Sequence, residues 1–175
     1  MITGGGHHDN VSPRENKKEH MAKTYQAPLF VRAANVLTTT LLRAGVKLVG
    51  PGNSPMYLIT VPGRKSGKIR TTPIATLEQD GKRYLLTPFG VVDWVRNLRA
   101  AAGEVTLTRE RRAETVKARE LPNGEAAPIL RAFIQSGNPI GNFFKIPADS
   151  SLEEFERAVL THPVFVLERN YCCVR

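Results

Sequence analysis

Apolar positions in the first patterned stretch of the chain recur at intervals of three and four. Between Pro28 and Ala44 they are Phe30, Ala33, Ala34, Leu37, Leu41 and Ala44, with Pro28 at the start and Gly45 as a stop, and this spacing predicts a helix. Thr38, Thr39 and Thr40 oppose it, because β-branched side chains lose rotamer freedom in a helix. The period then changes. Val49 to Pro55 holds two glycines and two prolines and reads as a loop, and Met56 to Val61 is a continuous apolar run suited to a strand covered on both faces. A strand rich in Thr and Ile follows from Ile69 to Glu78. Asp80-Gly81 joins it to a further strand from Lys82 to Phe89, and an Asp-Gly pair between two such runs predicts a tight hairpin, since both turn positions need positive φ.

Helical spacing returns from Asp93 to Ala102, with Asp93 expected as the N-cap, Val95, Leu98 and Ala102 along one face, and Gly103 as the stop. A second hairpin is predicted from Glu104–Thr108 and Ala113–Glu120 around Arg109 to Arg112, with Val105, Leu107, Val116 and Ala118 facing inward. After a turn at Pro122 to Gly124 come a helix from Glu125 to Gln135 and a loop containing Gly137, Pro139 and Gly141. A helix from Leu152 to Leu160, capped by Ser150 or Ser151, and a last strand from Val164 to Glu168 complete the pattern. Strands in antiparallel hairpins with helices at the periphery indicate a mainly β fold with α additions, a β-barrel. Residues 1–24 combine Gly4-Gly5-Gly6 with a charged run and little to bury. They are expected to be a disordered leader, and residues 25–175 a single domain.

Composition narrows the functional classes. Hydrophobic residues make up 41% and charged residues 23% of the 175, a globular balance, and no apolar run reaches the roughly 18 residues that would span a bilayer. The formal net charge of +9 should draw anions to the surface. Cys172 and Cys173 are adjacent, which excludes a disulfide framework, and His7, His8, His20 and His162 show no metal-ligand spacing, so no metal is expected. With no secretory signal in the leader, the protein is expected to be cytoplasmic. Nucleic acid is not an expected partner, because the basic Arg109 to Arg112 hairpin lacks aromatic platforms on which bases could stack.

The most informative segment is Pro62-Gly63-Arg64-Lys65-Ser66-Gly67-Lys68-Ile69-Arg70, between two predicted strands. Its glycines and proline are expected to expose backbone N–H groups, and Arg64, Lys65, Lys68 and Arg70 add cationic side chains, a combination able to grip phosphate. It is not a Walker A loop, since the glycine spacing differs. A solvated basic turn is the plainer reading. Arg96 and Arg99 are three residues apart on the helix that carries Trp94, so that helix, packed beside the loop, would complete one anion pocket. No Ser-His-Asp arrangement and no carboxylate pair in an apolar setting stands out, and the catalytic residues remain unknown from the sequence. That favours chemistry done by a borrowed cofactor.

The segments LITVPGRKSGKIRTTPI, YLLTPFG and DWVRNLRAA together resemble the deazaflavin-dependent nitroreductase family of F-420-dependent oxidoreductases, over Leu58 to about Glu120. The resemblance implies a split β-barrel related to flavin mononucleotide oxidases. It also implies that Gly63, Arg64, Lys65, Ser66, Gly67, Arg70, Thr72, Pro73, Trp94, Asn97 and Arg99 contribute to cofactor binding. F-420 ends in a phosphate and a polyglutamate tail, so cations and free N–H groups suit it. The activity implied is hydride transfer from the reduced deazaflavin to a small organic substrate: a quinone, an activated alkene or a nitro compound. Barrels of this type often pair as homodimers. The alternatives are an FMN-dependent relative, or a non-catalytic barrel that binds a lipid, haem or bilin with Phe143-Phe144 and the 30–42 segment as a greasy wall. The predicted helix at 28–44, with Arg32 and Arg43, would give a peripheral contact to an anionic membrane.

Overall fold

The computed structural model describes residues 29–169. The expected leader, His7, His8, His20, Tyr171 and both cysteines lie outside the described residues. Six strands close into an antiparallel barrel: β1 (Met56–Pro62), β2 (Ile69–Gln79), β3 (Lys82–Leu85), β4 (Glu104–Arg109), β5 (Arg112–Glu120) and β6 (Phe165–Arg169). Around the barrel the order is β1-β2-β3-β6-β5-β4. The split-barrel expectation is met by this closed sheet, in which every strand has two neighbours and no edge is left open.

Both hairpins form where the sequence predicts them, the first from its turn residues and the second from the alternation of its strands. Asp80 and Gly81 take φ of 51° and 71°, so that Gln79 pairs with Lys82. The second turn is the less expected one, since Glu110 and Arg111 take φ of 51° and 62° although neither is Gly, Asn or Asp. The ladder on both sides fixes them there, with Arg109 paired to Arg112. Alternation then decides what fills the barrel. Tyr57, Ile59 and Val61 of β1, Val105 and Leu107 of β4, Val116 and Ala118 of β5, and Phe165 and Leu167 of β6 meet in one interior cluster with Leu85. Burial of each such Val, Leu, Ile or Phe is worth roughly 1.5–3 kcal/mol.

Among the described residues four α-helices lie outside: α1 (Leu29–Arg43), α2 (Asp93–Ala100), α3 (Asn123–Gln135) and α4 (Leu152–Val159). α2 buries Val95 and Leu98 against the barrel interior, and Gly103 then reverses the chain at φ 83°. Val92 occupies the N-cap position instead of Asp93, which is the first helical residue and keeps its carboxylate free for other partners. α3 and α4 form a second core with Leu86, Leu121 and Val164, and the Ser151–Glu154 capping box opens α4. Of the two caps considered for that helix, Ser151 is the one used.

Two expectations are corrected by tertiary context. β3 ends at Leu85, not Phe89, because the chain leaves the sheet there: Thr87 Oγ1 donates to Pro163 O at 2.9 Å, and His162 Nδ1 lies 2.8 Å from Thr87 O. α1 forms as expected, yet Ala33, Ala34, Leu37, Leu41 and Ala44 are exposed, while Leu42 is buried and Thr38 and Thr39 are half-buried. The threonines that weaken the helix sit on its packed side, offset from the apolar stripe.

Candidate functional site

The loop between β1 and β2 is closed by its own backbone. Gly63 N donates to Lys68 O at 2.9 Å and Gly67 N to Gly63 O at 2.8 Å, while Lys68 N reaches Ser66 Oγ at 3.4 Å. Gly67 sits at φ 67°, and a Cβ on Gly63 would lie 3.0 Å from Lys68 O, so both glycines answer a backbone need. The loop therefore does not present all its N–H groups to a ligand. Those of Gly63, Arg64, Gly67 and Lys68 have partners within the protein, and those of Lys65 and Ser66 remain.

α2 holds the loop in place through Arg64. The buried Asn97 Oδ1 accepts from Arg64 N at 3.2 Å and Nη1 at 3.0 Å, and Arg64 Nη2 donates to Asp93 Oδ1 at 3.1 Å. Arg96 Nη1 approaches the same carboxylate oxygen at 3.6 Å. Asp93, considered from sequence only as a cap, thus neutralises one cation of the loop and one of its own helix. Lys65 and Arg70 are exposed and have no ion pair among the described residues. Lys68 is likewise exposed and without an ion pair among the described residues but does not line the cavity beside the loop, so Lys65 and Arg70 are the lining cations left to meet an anion.

Around them lies an open cavity of about 470 Å³ lined by Gly63, Arg64, Lys65, Ser66, Arg70 and Thr72, with Asp93, Trp94 and Asn97 on the α2 side. Most of the residues expected from sequence to bind cofactor are brought together here. Gly67 does not line it, and its role is the turn itself. Pro73 lines the neighbouring cavity. Arg99 points elsewhere: its Nε and Nη2 donate to the two carboxylate oxygens of Glu120 at 2.8 and 2.6 Å, tying α2 to the end of β5. That pair raises the Arg99 pKa above its ordinary value, with the Glu120 hydrogen bond as the main cause.

The neighbouring cavity, about 430 Å³, is of opposite character. The middle of β2 forms its floor from Pro73 to Leu77, and Leu86, Phe89, Phe133, Ile140 and Phe143 contribute apolar walls. Phe89 and Phe143 pack with ring centroids 5.3 Å apart. Of the Phe143-Phe144 pair expected as a greasy wall, only Phe143 serves. Phe144 is buried in the α3–α4 core, 6.1 Å from the Phe133 ring. From the 30–42 segment, Asn35 reaches the cavity. Thr72, Asp93 and Trp94 line both cavities, so the cationic and apolar spaces meet at a shared wall. Trp94 itself leans on Phe165 of the barrel interior, with centroids 6.1 Å apart.

Among the described residues no group of three or more His, Cys, Asp or Glu side chains could hold a metal, and no helix is long and apolar enough to cross a membrane. The apolar cavity offers hydroxyls from Ser54, Thr72 and Thr76 and a single carboxylate, Asp93, which the arginines occupy. Such a lining can orient a polar atom of a bound molecule, and it lacks the paired acid and base of a hydrolase. The donor set fits a phosphorylated, acidic cofactor with a planar aromatic part: free cations and N–H groups on one side of Trp94, apolar space on the other.

No curated protein matches this chain. Several solved structures are similar. One is an F420-H2 dependent reductase (FDR-A), 24% identical with a TM-score of 0.47, covering 65% of this chain and 94% of that one. Another, solved as a domain-swapped dimer, is 23% identical with a TM-score of 0.46, over 79% and 97%. A FAD-binding protein from Mesorhizobium loti is 13% identical with a TM-score of 0.42, over 77% and 88%. The family model described as F420H(2)-dependent quinone reductase matches residues 34–145, a stretch that carries the loop, α2 and both cavity walls, and the chain belongs to that family as an F-420-dependent reductase.

Proposed function

We propose that this reductase takes a small quinone as its acceptor, binding it in the apolar cavity, and holds the phosphate and acidic tail of F-420 at Lys65, Ser66 and Arg70. The observation that carries this reading is the shared wall: the cavity-lining cations without an ion pair among the described residues, Lys65 and Arg70, stand on one side of Thr72 and Trp94, and apolar space stands on the other. Reduced F-420 supplies a hydride when bound. The protein's part is to fix donor and acceptor side by side and to exclude water, which supplies much of the rate in such transfers. Arg64, Asn97 and Asp93 would act on the cofactor indirectly, by holding the loop. The hydroxyl of Thr72 would orient an acceptor carbonyl, while that of Thr76 is committed to Pro55 O at 3.4 Å. Activated alkenes and nitro compounds are other hydride acceptors that would compete for the same space.

The test is anaerobic mixing of the full chain with reduced F-420 and 1,4-naphthoquinone, following recovery of the oxidised deazaflavin's visible absorbance. Oxidation that saturates with quinone concentration is expected. Recovery no faster than in the enzyme-free control would refute the quinone assignment.

A further inference from the structure

We propose that the acceptor carries one anionic group of the carboxylate class, and that Lys47 and Arg109 receive it in a third cavity that continues the apolar one. This deepens the reading that the apolar cavity holds the acceptor and rests on it. The third cavity, about 590 Å³, shares Ser54, Thr76, Leu77 and Phe133 with the apolar cavity. It shares no lining residue with the Lys65–Arg70 cavity. The apolar space thus runs between two polar ends, and the cofactor's charges fill only one of them.

Arg109 is unusually ready for a ligand. Its guanidinium lies over the Tyr57 ring, 5.4 Å from the centroid, which orients the group without using its N–H donors. Nε is buried out of a ligand's reach, with Glu110 Oε1 as its ion-pair partner at 3.6 Å, so the Nη groups, which donate no hydrogen bond among the described residues, are the ones left to receive a ligand. Lys47, in the same lining, is exposed and has no ion pair among the described residues. Glu78 also lines the cavity and Glu110 stands 3.6 Å from Arg109, so the two cations face two carboxylates and no excess of positive charge gathers there. What a ligand would meet is the unpaired Lys47 ammonium with the Arg109 guanidinium beside it, which suits one carboxylate and disfavours a phosphate dianion.

β2 supplies a ruler for the ligand. Thr72 stands at the wall shared with the cofactor side and Thr76 at the wall shared with the third cavity. Four residues of strand span about 13 Å. An electrophilic ring near Thr72 would therefore reach Lys47 and Arg109 through an apolar chain, with its charge at the far end.

Trp94 is the one tryptophan of the chain and lines both the apolar and the cofactor cavity, so quenching of its fluorescence reads a bound quinone and the Lys47 variant assigns the end that holds its charge. The experiment compares binding of a carboxyhexyl-substituted naphthoquinone and its methyl ester to the full chain at low salt. The acid should bind roughly tenfold more tightly, the size of one charge-assisted hydrogen bond. Lys47→Glu should abolish that preference, while Lys117→Glu, the same charge change on an exposed residue of β5, should keep it. Equal binding of acid and ester by the unaltered chain, or a preference that survives Lys47→Glu, overturns the proposal. The comparison needs no turnover, so it stands apart from the naphthoquinone assay, whose failure would strike the quinone assignment instead.

Discussion

Lys65 and Arg70 provide the sharpest test of how the cofactor is held, because each is exposed and neither has an ion pair among the described residues. Replacing both with alanine should therefore leave the fold almost untouched, within about 0.5 kcal/mol, the usual range for surface substitutions. The effect on F-420 should be far larger. Two unit charges 4 Å apart interact by about 1 kcal/mol in bulk water and about 4 kcal/mol at an effective dielectric of 20. The site is open, so the lower part of that range applies. At about 1–2 kcal/mol per cation, the double variant should lose roughly 30-fold to several hundredfold in affinity. The loss should also depend on salt: the screening length falls from about 10 Å at 0.1 M to about 3 Å at 1 M, so the ratio between parent and variant should shrink as salt rises. Fluorescence titration of F-420 at several salt concentrations, beside denaturant unfolding of both proteins, measures each quantity. Unchanged affinity, or a loss indifferent to salt, would show that the loop is a solvated turn and that F-420 is held elsewhere.

Three further outcomes test neighbouring parts of the structure. Arg99→Ala should leave F-420 affinity within twofold of the parent in the same titration, as its guanidinium is committed to Glu120 outside the cavity, and should cost at most about 1 kcal/mol of stability. Glu114 accepts hydrogen bonds from both Nη atoms of Arg83, and that contact holds its carboxyl below the ordinary value of 4.5. A lowered folded-state pKa contributes stability above the unfolded value and loses it as pH falls through the folded one, so Glu114→Gln should cost about 1 kcal/mol at neutral pH after screening and converge with the parent in acid, as urea midpoints across pH would show. Gly103 has φ 83°, and a Cβ there would stand 2.5 Å from Ala118 O. Gly103→Ala should cost about 2 kcal/mol or more and lower the melting temperature by several degrees.

Local chemistry made the hairpins legible. The Asp80-Gly81 pair meets its turn requirement within two residues, and the alternation of Val105, Leu107, Val116 and Ala118 sets the inward face without reference to anything distant. The basic loop was legible for the same reason, since its glycines and cations are contiguous. What the sequence could not show is which of those groups are already committed. Asn97 is thirty-three positions from Arg64, yet it accepts two of its hydrogen bonds. Arg99, one helical turn from its neighbour Arg96, turns to Glu120. Sequence proximity placed both arginines on one surface, and they part because Arg96 pairs locally with Asp93 while Arg99 has the long-range partner Glu120.

The apolar cavity was less legible because its lining comes from six separate stretches of the chain, and because hydrophobic periodicity reports that a face is apolar without saying what it meets. In α1 the stripe predicted from spacing is largely exposed, and the helix meets the barrel through Leu42 and two threonines. In the 139–144 turn the reverse holds: neighbouring phenylalanines divide, Phe144 entering the α3–α4 core and Phe143 lining the cavity with Phe89. One side chain stabilises the fold and the next shapes the site, a division made by a 3-10 turn whose first N–H is held by Asn138 Oδ1 at 3.0 Å. Asn138 also reaches Pro51 O at 3.4 Å and Ser54 Oγ at 3.5 Å, and Ser54 lies where the apolar cavity opens into the Lys47–Arg109 end. The same amide thus positions the aromatic wall and the polar doorway, which links the shape of the acceptor's ring to the placing of its charge.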